Sequence, residues 1–257
     1  MIISLEQLIV FLLILGRIAG VFIQAPIFSS RSLPFLAKTA IAVWMAILLW
    51  FVVPVNPVLP DSMPAFVLTL VFEVILGFII GFIVNIIFLG IQAAGEIIDM
   101  QMGLSVATAL DPIFGAVISI IGRFIFFIAL IIFIIADGHH MILSAFNQSF
   151  TVLPVGKIAN LSSPNLVIQT ISLGSELWLI AIKLSVPIIL LIFISDFTFG
   201  IVSRVAPQVN VFMLGFQVKP LLGLMGILMC LPFVIKYMHN LISFSTEHLA
   251  LLLTNIK

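Results

Sequence analysis

Residues Ala65–Ile91 read AFVLTLVFEVILGFIIGFIVNIIFLGI, with Glu73 as the only charge. A helix needs about 20 predominantly apolar residues to cross a hydrocarbon core, and this run meets that length. The same test picks out Leu8–Phe28, Ala37–Val55, Val117–Ala136, Glu176–Ser195 and about Val211–Ile235, making six candidate spans. Between the second and third, Pro54-Val55-Asn56-Pro57-Val58-Leu59-Pro60-Asp61 cannot continue a helix. Pro154–Pro164 (PVGKIANLSSP) reads as the longest polar loop. No low-complexity tract or soluble domain interrupts the pattern, so residues 1–257 read as one all-α unit of about six long hydrophobic helices.

Composition points the same way. Of 257 residues, 63% are hydrophobic and 8% charged, and the mean hydropathy is +1.40. Soluble domains carry about 25% charged residues, so the surplus apolar surface here must face lipid or other subunits. Ten Lys+Arg against ten Asp+Glu leave no basic excess for a nucleic-acid surface. Cys230 is the only cysteine, which excludes an internal disulfide and a cysteine metal cluster. Met1–Glu6 (MIISLE) lacks the positive stretch of a cleavable signal, so the apolar run behind it is expected to remain in the mature protein.

The charges sit in awkward places. Arg17, Glu73, Arg123 and Lys183 lie inside apolar runs, where each costs about 2.5–3.5 kcal/mol at a helix centre. Such groups usually face a partner helix or a wet cavity. Pro187 and Lys219-Pro220 are expected to interrupt the last two spans. Six spans would put Arg31, Lys38, Arg204 and Lys219 on one side and Lys157, Lys236 and Lys257 on the other. Four against three sets no orientation. Either partners assemble the fold asymmetrically, or not every helix spans. Gly16–Gly20 and Gly77–Gly81 are G-x-x-x-G pairs, which permit close backbone approach or simply reflect how common glycine is in membrane helices.

Gln92–Gly115 (QAAGEIIDMQMGLSVATALDPIFG) carries Glu96, Asp99 and Asp111 and no cation. It is expected to stay helical to about Met102 and to become irregular from Gly103, since the residue before Pro112 is pushed out of the helical region. Irregular backbone at membrane depth is tolerated when buried in protein or lining a wet path. Two readings stand: a pore plug sealed by the adaptable side chains of Met100 and Met102, or an ordinary surface loop.

No motif supports catalysis. There is no G-x-S-x-G elbow and no phosphate-cradling glycine loop. Adjacent His139 and His140 are expected to point apart on a helix and not to form a metal pair. His239 and His248 have no carboxylate at ligand spacing. Asp137 beside the histidines reads as a proton relay or as a polar helix-end cluster.

Three stretches are distinctive: Ser203–Phe212 (SRVAPQVNVF) running on to Lys219-Pro220, Leu110-Asp111-Pro112, and Asp137-Gly138-His139-His140 followed by Ser149–Pro154 (SFTVLP). Together with Arg17, Pro26, Pro34, Glu73 and Gly77, they make a chain that resembles the FliR family, the flagellar members of the type III secretion export-gate subunits. R-x-x-P-Q-x-N-V-F is the specific part, and the likeness covers essentially the whole length.

The resemblance implies a non-enzymatic channel subunit without cofactor. Its implied partners are FliP-like and FliQ-like subunits, other export apparatus proteins (FlhB-like), lipid, and the unfolded flagellar proteins that pass through. The implied location is the bacterial inner membrane, at the flagellar basal body. The implied fold is a FliP-like part over residues 1–175 joined to a FliQ-like helical hairpin over 176–257, its nominal spans being bent hairpins. The segment Gly103–Ile118 would project into the channel as a plug, with Leu110, Asp111, Pro112, Ile113 and Phe114 at its tip. Asp196 and Arg204 flank the turn before the last long helix. Arg204 and Lys219 are expected to pair with carboxylates on adjacent subunits, or else to face lipid headgroups in a solvated loop. Glu73 and Arg123 are expected to pair within the chain. The competing reading is a self-contained six-span secondary transporter of a small solute, with Glu73, Arg123 and Asp137 as a coupling path.

Overall fold

The computed structural model describes residues 4–26, 28–29, 33–52, 59–105, 119–157 and 164–256. Among them there is no strand. The helices are α1 (Leu5–Gln24), α2 (Phe35–Val52), α3 (Met63–Met102), α4 (Ile120–Ile135), α5 (Gly138–Val152), α6 (Pro164–Val205) and α7 (Val211–Ile256). A helix satisfies its backbone polar groups within one segment, which is why apolar runs of this length settle into it.

Local chemistry sets several helix ends. Ser4 and Gln7 form a reciprocal capping box at the start of α1. Asn210 Oδ1 accepts from the Met213 amide at the start of α7. Pro164 occupies the first position of α6, where its missing N–H costs nothing.

Two expectations change. Among the described residues, the six spans become four helices long and apolar enough to cross a membrane, or five if α4 and α5 count as one broken span. The reason lies in α2 and in the fourth run. The described apolar part of α2 is only Phe35–Phe51. The run Val117–Ala136 gives a 16-residue helix that stops where Asp137 turns left-handed (φ 56°), with a 66° bend into α5. Conversely, Pro187, Pro220 and Pro232 do not interrupt their helices: α6 and α7 run through them for 42 and 46 residues. Each proline forfeits a backbone hydrogen bond, and the turns on both sides hold the helix. At 1.5 Å per residue, α3, α6 and α7 are roughly 60–70 Å long, about twice a hydrocarbon core.

The chain sorts into two compact units that cut across its order. One holds residues Met1–Ile86, Phe133–Leu173 and Leu241–Lys257; the other holds Ile87–Ile132 and Gly174–Asn240.

In the first unit, α1 and the front of α3 run parallel and touch backbone to backbone. A Cβ on Gly20 would stand 2.9 Å from the Gly77 Cα and would overlap the Val74 carbonyl, while one on Gly77 would overlap the Arg17 carbonyl. The buried stripe of α1, Val10, Leu13, Ile14, Ile18 and Val21, follows the helical repeat of one inward face. Here the G-x-x-x-G pairs do create a close crossing.

In the second unit, Gly95 of α3 lies against the Gly122 backbone of α4, and Phe88 packs edge-on against Phe126 at 5.6 Å. Ile125, Leu184, Ile188, Ile227 and Val234 close its core. Outward-facing apolar side chains are large: Phe193, Phe197 and Phe212 are each more than 60% exposed, as is Trp44 in the first unit. Only 22% of the apolar window of α7 is buried, against 61% for α3. Over Val211–Tyr237 the last helix thus presents most of its apolar surface outward, toward lipid or another subunit.

Candidate functional site

Four of the residues singled out in the sequence meet at one groove of the second unit. The third helix ends at Met102, and Gly103 follows with φ +79°, a conformation that glycine alone adopts freely. Beside it opens a groove of about 510 Å³, edged by Met100, Gly103, Asp196, Phe199, Phe212 and Lys219. The two methionines have different surroundings. Met102 is 2% exposed and packs over Gly223, where a Cβ would come within 2.6 Å of its sulfur; Met100 is 71% exposed at the groove's edge.

Lys219, expected to reach a neighbouring subunit, instead pairs with Asp196 of its own chain at 2.6 Å, joining α7 to α6. Both side chains are partly exposed, so the pair contributes at most about 1 kcal/mol and serves mainly to orient. Arg204 is exposed in the last turn of α6, where a cation complements the helix dipole. Lys183 is exposed on α6, with its Nζ 5.8 Å from the Tyr237 ring.

Asp99 has a role that the sequence reading missed. Buried on α3, it accepts from the Ile121 amide with both carboxylate oxygens, at 3.2 and 3.3 Å. A side chain from one helix thus caps the start of another, putting negative charge at the positive end of α4. Ser119 Oγ accepts from the Gly122 amide in the same turn at 2.7 Å. Together they hold the end of α3 beside the start of α4, at the two flanks of residues 106–118. Asp99→Ala should cost about 1–2 kcal/mol, read as a lower melting temperature in detergent. Asp99→Asn, which keeps an acceptor, should recover part of that loss. The proposed plug tip, Leu110, Asp111, Pro112, Ile113 and Phe114, lies outside the described residues.

The first unit holds a second polar site, fully buried. Arg17 Nε donates to Glu73 Oε2 at 2.6 Å. Its NH1 donates to Ser149 Oγ at 3.1 Å and its NH2 to the Leu153 carbonyl at 3.2 Å. The Phe150 ring lies 4.2 Å from the guanidinium carbon. The Gly156 amide donates to the other Glu73 oxygen at 3.0 Å, from a left-handed turn (φ 87°) that suits glycine. Arg17 is 0% exposed and Glu73 1%. One ion pair with hydrogen bonds on nearly every side therefore ties α1, α3, α5 and the turn after α5 together.

This corrects the expected partner of Glu73, which is Arg17 and not Arg123; Arg123 is exposed on α4. The physical reason is the parallel crossing. Arg17 stands three residues before Gly20 and Glu73 four before Gly77, so both charges lie one turn before the same contact. That offset was the available signal.

At the α4–α5 elbow a further expectation fails. The rings of His139 and His140 do not diverge; their centroids are 4.2 Å apart. In the first turn of a helix, side-chain torsions can bring neighbours together despite the 100° step between their backbone positions.

Fold and sites define an integral membrane protein of long apolar helices, with its central buried ion pair spent on internal packing and its apolar flanks turned outward. Residues 8–245 match the family described as "Bacterial export proteins, family 1", and the chain belongs to that family, the one to which its motifs pointed. It is 28% identical over 238 residues to the flagellar biosynthetic protein FliR of Bacillus subtilis, covering 92% of each chain. To FliR of Pectobacterium carotovorum it is 30% identical over 240 residues, 93% of this chain and 91% of that one. To the surface presentation of antigens protein SpaR of Shigella flexneri it is 28% identical over 233 residues, 88% of each.

Proposed function

We propose that the chain is a channel subunit of a flagellar type III protein export gate in the bacterial inner membrane. It would assemble there with FliP-like and FliQ-like subunits, beside FlhB-like apparatus proteins, and pass unfolded flagellar proteins. The family match over residues 8–245 carries this reading. The outward apolar faces of α6 and α7 support it, because an isolated chain would have to cover them with lipid alone.

Residues 176–257 would serve as the FliQ-like hairpin, and Leu110–Phe114 as the plug tip. The plug assignment rests on the family resemblance. Capping by Asp99 and packing by Met102 would steady its base, and the exposed, adaptable Met100 would seal beside it. Arg204 is the cation offered to carboxylates of adjacent subunits.

Native mass spectrometry of the tagged chain, extracted in mild detergent from cells carrying its neighbouring genes, tests the proposal. One copy within an assembly of several small hydrophobic subunits is the expected result, and Arg204→Glu should reduce that recovery. A stable monomer or homodimer, indifferent to the neighbouring genes, would overturn the gate reading in favour of a self-contained transporter.

A further inference from the structure

The elbow between α4 and α5 carries three metal-ligating side chains outside both sites described above. Asp137, His139 and His140 each offer one ligand atom, and all three atoms lie within 4.8 Å of one another. His140 Nδ1 and Asp137 Oδ1 are 3.3 Å apart. Two donors bound about 2.0–2.1 Å from one tetrahedral zinc ion stand at a similar separation.

The local backbone places the carboxylate in an unusual way. Asp137 occupies the N-cap position of α5, where aspartate ordinarily accepts from an amide of the first turn, yet it makes no side-chain cap. It adopts a left-handed conformation and turns its carboxylate to His140 instead. His139 adds a separate observation: its Nδ1 is buried and has no hydrogen-bond partner among the described residues. A buried, unpaired polar group is costly, and a metal ion bound through that atom would remove the cost.

We infer that this elbow binds a borderline divalent cation of the zinc or nickel type. Two imidazoles and one carboxylate suit such ions better than magnesium or calcium, which take oxygen ligands. Three protein ligands leave a coordination position for water or for a group on a neighbouring subunit. The positive end of α5 opposes a cation, and the Asp137 carboxylate offsets that opposition. Binding fixes the left-handed turn and with it the bend between the two helices. Asp137 and His140 are exposed at the surface of the chain, so an ion can reach them without unfolding the elbow.

Zinc titration of the untagged, chelator-treated chain by calorimetry, in detergent or within its complex, tests the assignment. One ion per chain with micromolar affinity is the expected result. His139→Ala/His140→Ala should abolish that uptake, and Asp137→Asn should weaken it about 10-fold or more. His239→Ala/His248→Ala should bind as the parent does. His140 and Asp137 are exposed, so Asp137→Asn and His140→Ala should keep the parent's melting temperature without metal. Absence of saturable uptake by the parent chain below about 1 mM would overturn the site, as would unchanged uptake in His139→Ala/His140→Ala.

Discussion

Glu73→Ala is expected to cost about 3–5 kcal/mol, because it leaves the Arg17 guanidinium fully buried with no counter-ion. The Gly156 amide loses its acceptor in the same step. On the usual scaling for a chain of this size, the melting temperature in detergent should fall by roughly 10 °C. Arg17→Ala should do similar damage by stranding the carboxylate, and Arg17→Lys should rescue only part. An ammonium cannot serve Glu73, Ser149 and the Leu153 carbonyl in the fixed directions of a guanidinium. The informative variant is Arg17→Met/Glu73→Leu, in which no charge remains buried; it should be clearly more stable than either single alanine variant. Equal melting temperatures for the parent and Glu73→Ala would refute the cluster's structural role.

Gly77→Leu is the second large effect. A single Cβ on Gly77 already overlaps the Arg17 carbonyl, which is backbone and cannot rotate away. The two helices must therefore separate, at a cost of about 1–3 kcal/mol for ordinary overpacking. The cost here should exceed that range, since separation also pulls Arg17 from Glu73. Gly77→Ala should show the same effect at smaller size. Gly200→Ala is the matched control: nothing lies within 4 Å of a Cβ there, so the helix should gain up to about 1 kcal/mol. Melting curves and protease resistance of the three variants would rank them, and a Gly77→Ala variant as stable as Gly200→Ala would refute the close crossing.

Much of this was legible in the sequence because hydropathy is a property of segments. Length and apolarity alone marked α1, α3, α6 and α7. The continuation of α3 to Met102 followed from local chemistry; of the irregular segment expected from Gly103, the described residues show a left-handed turn at Gly103 and then helical backbone at Leu104 and Ser105. The fourth run, Val117–Ala136, misled because its helix is only 16 residues long, Ile120–Ile135, and stops where Asp137 turns left-handed and the chain bends into the next helix. The prolines misled in the opposite direction, since proline lowers the stability of a helix without forbidding it when long apolar turns continue on both sides.

The sites divide in the same way. Met100, Met102, Asp196 and Lys219 were picked out individually, but nothing local indicated that they border one groove or that Lys219 finds its carboxylate in its own chain. Arg17, Glu73 and Asp99 were visible as charges in apolar surroundings, and their partners were not. Arg17 meets residues 56, 132 and 136 positions away, and the Ile121 amide meets Asp99 across 22. The sequence by itself determined that the chain is helical, belongs in a membrane and carries charges needing partners, because these follow from transfer energies summed along segments. Only the tertiary structure decided which charge answers which, because a buried ion pair is chosen by the helix crossing that brings its two ends to one level.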